Sequence, residues 1–413
     1  MTEPEPTATA GARDRPAATH GDGLAPSLPT RGRLLLGELW RDLRGRRTVP
    51  RSNAEHLDAA IGWLAASQDA TGTGGSAAVY NLVLGWGGPY PETSGYIVPT
   101  LYDYAAATGD GRARERADRM AAWLLTRQFE DGGFPAGDDP DETDPSVFNT
   151  GQILFGLCRA FEETGEERYR EAARRAAAWL VSVQHPEGYW DRHDYNGVVH
   201  TYAARVAWAL VRASEVTGEA SFAEAGRSNL RWVARQGRPN GWFAHCGFEP
   251  DDDPFLHTIA YTVRGLLEGG LALDDEGILA AATRAADALL DLQAHEGVLH
   301  GQYDAEMRPR GYHCLTGNAQ MAIVWYRLYE ATGEARYREA ADGTVAFLKT
   351  RQRMGGPAAV RGGLRGSDPV WGRYMYLRYP NWAAKFLADA LLLAERHAER
   401  EYEPPARLAS RSG

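Results

Sequence analysis

His257, Tyr261 and Arg264 stand at i, i+4 and i+7, a spacing that stacks an imidazole, a phenol and a guanidinium on one helix face. His200, Tyr202 and Arg205 repeat the same three residue types in a shorter span. Such groups can shuttle a proton and hold a negative charge, which makes these six the expected centre of a catalytic site. The bland alternative is that they are helix-terminal residues bonded to loop carbonyls. Glu92 adds a carboxyl that could act as general acid or nucleophile, with Asp144 or Asp304 as its partner across a bond. Equally, the run Glu92-Thr93-Ser94 is ordinary helix-capping chemistry. Lys385 lies in an apolar stretch, so Asp389 at i+4 or a ligand carboxylate is expected beside it.

These residues belong to a repeating frame. The phrase AAIGWLAASQDATGTGG (59–75) returns as AAWLLTRQFEDGGF (121–134), AAWLVSVQHPEGYW (177–190) and LRWVARQGRPNGWF (230–243). Weaker copies are ALLDLQAHEGVLHG (288–301) and VAFLKTRQRMGG (345–356). The glutamines fall at 68, 128, 184, 236, 293 and 352, so one supersecondary unit is repeated six times. Each unit predicts an amphipathic helix, a Gly-rich aromatic turn, and a second helix apolar nearly all round. In the second unit Ala117, Met120, Ala121 and Leu124 share one stripe and arginines the other. Four second helices stop at Thr-Gly before an acid (108–110, 164–166, 217–219 and 332–334), with Gly as C-cap. Six exposed helices alternating with six buried ones predict an all-α fold, an (α/α)6 toroid, as one domain over 51–400. Residues 1–50 read as a tail, largely disordered to about 30, and 401–413 as a second disordered tail.

The phrase W-L-x-x-x-Q-x-x-x-G-x-F/W resembles the QW repeat of squalene-type terpene cyclases and protein prenyltransferases. The toroid is similar to that of six-hairpin glycosidases, polysaccharide lyases, sugar epimerases and lanthionine cyclases. A class II terpene cyclase implies an acidic DxDDTA at an inner-helix start; Ser146-Val147-Phe148-Asn149-Thr150-Gly151 stands there, with no acid. DDPDE at 138–142 matches a magnesium motif, but Pro140 places it in a loop. Resemblance to toroidal uronate lyases and epimerases implies that an Asn/His/Arg group, here Asn149, His200, His257 and Arg264, neutralises a sugar carboxylate while Tyr or His moves the C5 proton. Resemblance to lanthionine cyclases implies a possible zinc held by Cys246, His313 and Cys314; otherwise no cofactor is expected.

The long connections put the site at the mouth where the second helices begin. Substrate-binding candidates there are Trp86, Tyr96, Asn149, Gln152, Trp371, Arg378, Asn381 and Lys385. Aromatics of this kind suit sugar faces, although those on the repeat position itself, such as Trp190 and Trp242, suit packing. The chain has 413 residues, 45 Lys+Arg against 55 Asp+Glu and a net charge of -10, which disfavours nucleic acid as a partner. No apolar run is long enough to span a membrane, no signal peptide is evident, and three cysteines cannot build a disulfide framework. The expectation is a cytoplasmic carbohydrate-active enzyme on a small-molecule or oligosaccharide substrate, with uronyl C5-epimerase or lyase chemistry ahead of two-carboxylate hydrolysis. A QW-repeat terpenoid or peptide cyclase, or a prenyl-binding protein, is the alternative from another class, and a toroid that only binds is a third.

Overall fold

The computed structural model describes residues 28–398 apart from positions 138 and 140. The two expected tails therefore lie largely outside the described residues, as do Asp138 and Pro140 of the acidic loop motif. Thirteen helices are described. The first, α1 (Leu28–Leu43), precedes the repeats. Six outer helices follow: α2 (Asn53–Asp69), α4 (Gly111–Leu125), α6 (Glu167–Ser182), α8 (Ala220–Arg235), α10 (Glu276–Glu296) and α12 (Ala335–Arg351). They alternate with inner helices α3 (Pro91–Thr108), α5 (Val147–Thr164), α7 (Ala204–Thr217), α9 (Leu256–Leu273), α11 (Leu315–Thr332) and α13 (Asn381–Ala398).

The inner helices pack in sequence, α3 on α5, α5 on α7, and so on to α13, which returns to α3. That contact closes the ring, and the (α/α)6 toroid expected from the repeat is what forms. Pairing differs in phase from the sequence repeat. Each inner helix packs most closely on the outer helix that follows it, and α13 takes α2 from the other end of the chain. The reason is loop length. Only two residues separate α3 from α4 or α5 from α6, with Gly109 and Gly165 in the left-handed region as C-caps. Asp274 does the same work after α9, where the sequence offers no glycine.

The recurrent glutamine is an architectural clamp. Gln184 Nε2 donates to Gly188 O at 2.8 Å in its own turn and to Ala225 O at 3.1 Å in the next outer helix. Gln68, Gln128 and Gln352 make the same pair of bonds, and Gln352 reaches His56 O in α2 to seal the outer ring. Gln236 departs, turning back to Trp232 O. Gln184→Ala should remove two bonds to part-buried carbonyls and lower the urea midpoint by an amount equal to about 1–3 kcal/mol. Close approach in the inner ring rests on small residues: a Cβ on Gly265 would lie 2.4 Å from the Ala204 carbonyl carbon.

The long connections carry short strands. Among them β1 (Val79–Asn81) pairs with β2 (Gly85–Trp86) and also with β3 (Arg378–Pro380), joining the first and last repeats. The stretch 28–43, read from sequence as part of a tail, is instead the docked helix α1. Its acids explain this: Glu38 and Asp42 turn inward onto Arg353 and Arg365, at 2.9 and 2.5 Å. Thr48 continues the attachment, donating its N–H to Thr350 O. None of the described helices is long and apolar enough to cross a membrane.

Candidate functional site

The inner helices begin at the long-connection end and bring their first turns together on the axis. Pro91 opens α3 and sets Glu92 in its first turn, where the helix N-terminus favours a negative group. Glu92 keeps some solvent-accessible surface although its carboxyl lies deep among protein atoms. Burial pushes that carboxyl up to about 7, against a hydrogen bond from Tyr90 and the field of Arg205. Tyr96, Tyr202, Tyr261 and Tyr374 stand within its field, and burial makes each hydroxyl harder to ionise.

Arg205 sits below this group and is 2% exposed. Its Nε donates to Gln152 Oε1 at 2.8 Å, and its guanidinium lies 4.8 Å from the Tyr261 ring centre and 5.2 Å from Phe155. Burial lowers it to about 10, so it stays cationic at neutral pH. The Tyr96 and Tyr261 hydroxyls lie near enough to each other to perturb one another's ionisation. The His257 ring lies 4.2 Å from that of Tyr261, and burial drives its imidazole down to about 3. Gln320 Nε2 is 2.7 Å from His257 Nδ1; an amide donating there places the proton on Nε2. His257 is thus a neutral donor. A ladder of rings leads outward from it through Tyr374, Phe255 and Phe248 to Tyr195 at the rim. Asp194 is buried beside this ladder, and burial pushes its carboxyl up to about 7. One of its oxygens accepts from Tyr195 N at 2.8 Å, and Tyr202 lies within its field.

From the opposite end, where the two-residue turns lie, a cavity of about 710 Å³ reaches the axis. Tyr96, Phe155, Trp208 and Arg205 line its depth, with Lys385, Asp389 and Arg264 among its walls. Lys385 is ion-paired with Asp389, whose other oxygen accepts from Thr100 Oγ1 at 2.7 Å. Burial lowers this lysine to about 8. Arg264 stands 3.9 Å from both Glu268 and Asp389, which is ion-pair range without hydrogen bonds. The axial cluster therefore lies between a rimmed mouth and a charged chamber.

No family model matches the chain, and no curated protein does. Solved structures do. An unsaturated glucuronyl hydrolase from a Bacillus species, described as responsible for glycosaminoglycan degradation, is 20% identical, with 84% of this chain and 97% of that one covered and a TM-score of 0.68. A sugar epimerase from a ruminal bacterium is 13% identical over 85% of this chain and 99% of that one, at 0.68. Cellobiose 2-epimerase from Bacillus thermoamylovorans is 11% identical over 88% and 100%, at 0.66. The fold these structures share with the chain is the (α/α)6 toroid.

In this toroid the sequence candidates separate into three groups. Glu92, Tyr96, Gln152, Tyr202, Arg205, His257 and Tyr261 converge on the axis, whereas Arg264 and Lys385 belong to the far chamber. A third group clamps loops. Asn149 Nδ2 donates to Pro135 O at 2.8 Å, and Asn381 Nδ2 to Ser76 Oγ, Ala77 O and Thr93 Oγ1. His200 Nε2 bonds Tyr195 O at 3.0 Å, so this ring serves the loop although it stacks on Tyr202. Trp86 is buried against Trp63 and Tyr80, Arg378 lies in β3, and Trp371 is an exposed loop residue.

The expected carboxylate partners of Glu92 do not pair with it. Asp144 is exposed, and Asp304 accepts from Arg308 Nε at 2.8 Å and from the Arg308 backbone. Nor do the zinc candidates converge. Cys246 contacts Thr258 and Thr262, Cys314 caps α11 by accepting from Gly317 N, and His313 Nδ1 faces Leu299 O. No three metal-ligating side chains gather among the described residues. Asp194 and Tyr374 count among the mouth residues of the third and sixth long connections in the sequence, but nothing there gives either a role; an acid beside an aromatic run in a long connection is the only signal.

Proposed function

We propose that the chain is a carbohydrate-active enzyme that moves a proton between a buried carboxyl and a sugar held on the toroid axis. The observation that carries this is Glu92, a carboxyl lifted to about 7 beside the guanidinium of Arg205. A protonated acid at that value can donate to a glycosidic oxygen or an enol-ether carbon, and as carboxylate it can take a proton back from water. Tyrosines around it order hydroxyls, and the part-exposed Tyr195 and Phe248 at the outer end of the ring ladder offer faces for the sugar. Asp194 is proposed as the second carboxyl, near Tyr202 in the connection that leads to α7. His257, neutral and donating, and Tyr261, held un-ionised, position the substrate; they do not abstract its C5 proton.

The substrate class proposed is an oligosaccharide ending in a uronyl unit, whose carboxylate would meet Arg205. The unsaturated glucuronyl hydrolases of like fold support this choice, and two-carboxylate hydrolysis replaces epimerisation as the favoured reaction. The test is a panel of unsaturated uronyl disaccharides, saturated uronyl oligosaccharides and cellobiose, incubated with purified protein. Loss of the ultraviolet absorbance of the conjugated double bond, with release of the second sugar, is the expected result. Epimerisation of cellobiose, or deuterium uptake at C5 of a saturated uronate without cleavage, would overturn it.

A further inference from the structure

Helix α1 stands outside the six repeats and presents two unlike faces. Its acids, Glu38 and Asp42, turn inward into ion pairs with Arg353 and Arg365. On the outward face Leu36, Trp40 and Leu43, at i, i+4 and i+7, are 67%, 49% and 71% exposed, and Val49 just beyond is 82% exposed. The neighbouring loop adds Val83 and Leu84, tied to the helix by a 2.6 Å bond from Arg31 Nη1 to Leu84 O. Eight large hydrophobic side chains are exposed among the described residues, and these are six of them. Chance scatter would not gather them on one helix face and the loop beside it.

Charge decides the partner. Residues 31–51 hold seven arginines and only those two inward acids, in a chain whose net charge is -10. Arg33, Arg44 and Arg46 are exposed and have no acidic partner among the described residues, and the Arg44 guanidinium lies 4.2 Å over the Trp40 ring. We propose that this face seats on an anionic lipid surface. Leu36, Trp40 and Leu43 enter at the depth of the headgroups while Arg33, Arg44 and Arg46 meet the phosphates. A second copy fits less well, because a two-fold contact would press this arginine cluster against itself. Since α1 packs against the long connections at 82–84 and 365–370, docking would turn the end that bears Glu92 toward the membrane.

The test is co-sedimentation of the full chain with vesicles of phosphatidylcholine alone and with added phosphatidylglycerol. Binding is expected only to the anionic vesicles, weakening as salt rises. Arg33→Glu/Arg44→Glu/Arg46→Glu should lower partition by roughly 100-fold. Trp40→Asp should lower it as well, and because these side chains are exposed the thermal melt should not move. Absence of binding to anionic vesicles at low salt would overturn the proposal. So would unchanged partition in both variants, or a dimer in sedimentation velocity that Trp40→Asp converts to monomer.

Discussion

Turnover is expected to fall by about 10²–10⁴-fold when Glu92 is replaced by glutamine, with the fold intact. Glutamine keeps the shape of the carboxyl and can still accept from Tyr90, so the first turn of α3 has no reason to open. What is lost is a group able to give and regain a proton. Tyr96 and Tyr261 cannot substitute, because burial holds both hydroxyls un-ionised. His257 cannot either, since its imidazole stays neutral down to about 3. Steady-state rates on whichever sugar the panel identifies provide the check. A variant that retained more than a tenth of the activity would sink the assignment, whereas His257→Gln should mainly raise KM.

The same carboxyl makes activity and stability depend on pH in a defined sense. Burial raises Glu92 from 4.5 to about 7, so a step that needs the acid form weakens as pH climbs through about 7. For stability the sign follows from proton counting. Between 4.5 and about 7 the native state holds a proton that the unfolded chain has released, so stability falls as pH rises across that window. Asp194, raised from 3.8 to about 7, adds to the trend. Glu92→Gln should flatten part of this slope in urea melts taken across the window, a readout independent of substrate.

Periodicity carried most of the fold. Glutamines at near-equal intervals and Thr-Gly stops announce hairpins, because a clamp and a C-cap are local chemistry that each repeat must supply for itself. What periodicity could not announce is α1, whose stability comes from arginines more than 300 residues away in the sequence, such as Arg365 beneath Asp42. The site shows the same division. Helical spacing correctly put Tyr261 above Arg264, yet it could not say that a layer of rings around Arg205 would leave Arg264 in the opposite chamber. Asn149 and Asn381 resemble ligands in sequence because loop clamps and ligands use the same amide. Asp194 is legible in the sequence as a mouth residue but not as a site carboxyl, because its importance lies in burial, which depends on how loops from different repeats fold over it.

Arg365→Met is expected to destabilise the protein by about 3–5 kcal/mol. Arg365 is 5% exposed and meets Asp42 at 2.5 Å, Asp368 at 3.3 Å and Glu38 at 3.9 Å. All three acids are buried, so methionine fills the volume of the arginine but leaves negative charge with little solvent to stabilise it. Arg351, 2.9 Å from Asp368, and Arg353, 2.9 Å from Glu38, retain partial pairing; among the described residues Asp42 keeps Arg47, at 3.8 Å, and the Val370 N–H at 2.7 Å. The loss should therefore centre on Asp42, and adding Asp42→Asn should recover a large part of it in a double-mutant cycle. Burial would raise Asp368, but Arg365 and then Arg351 hold it below 3.8, so its contribution is present at neutral pH and is lost as pH falls. Without Arg365, Asp368 can take up a proton more readily instead of bearing charge. The deficit of the variant in urea midpoint should then be largest at neutral pH and shrink toward pH 4. A deficit independent of pH would mean that packing of the guanidinium, and not its charge, holds α1 to the toroid.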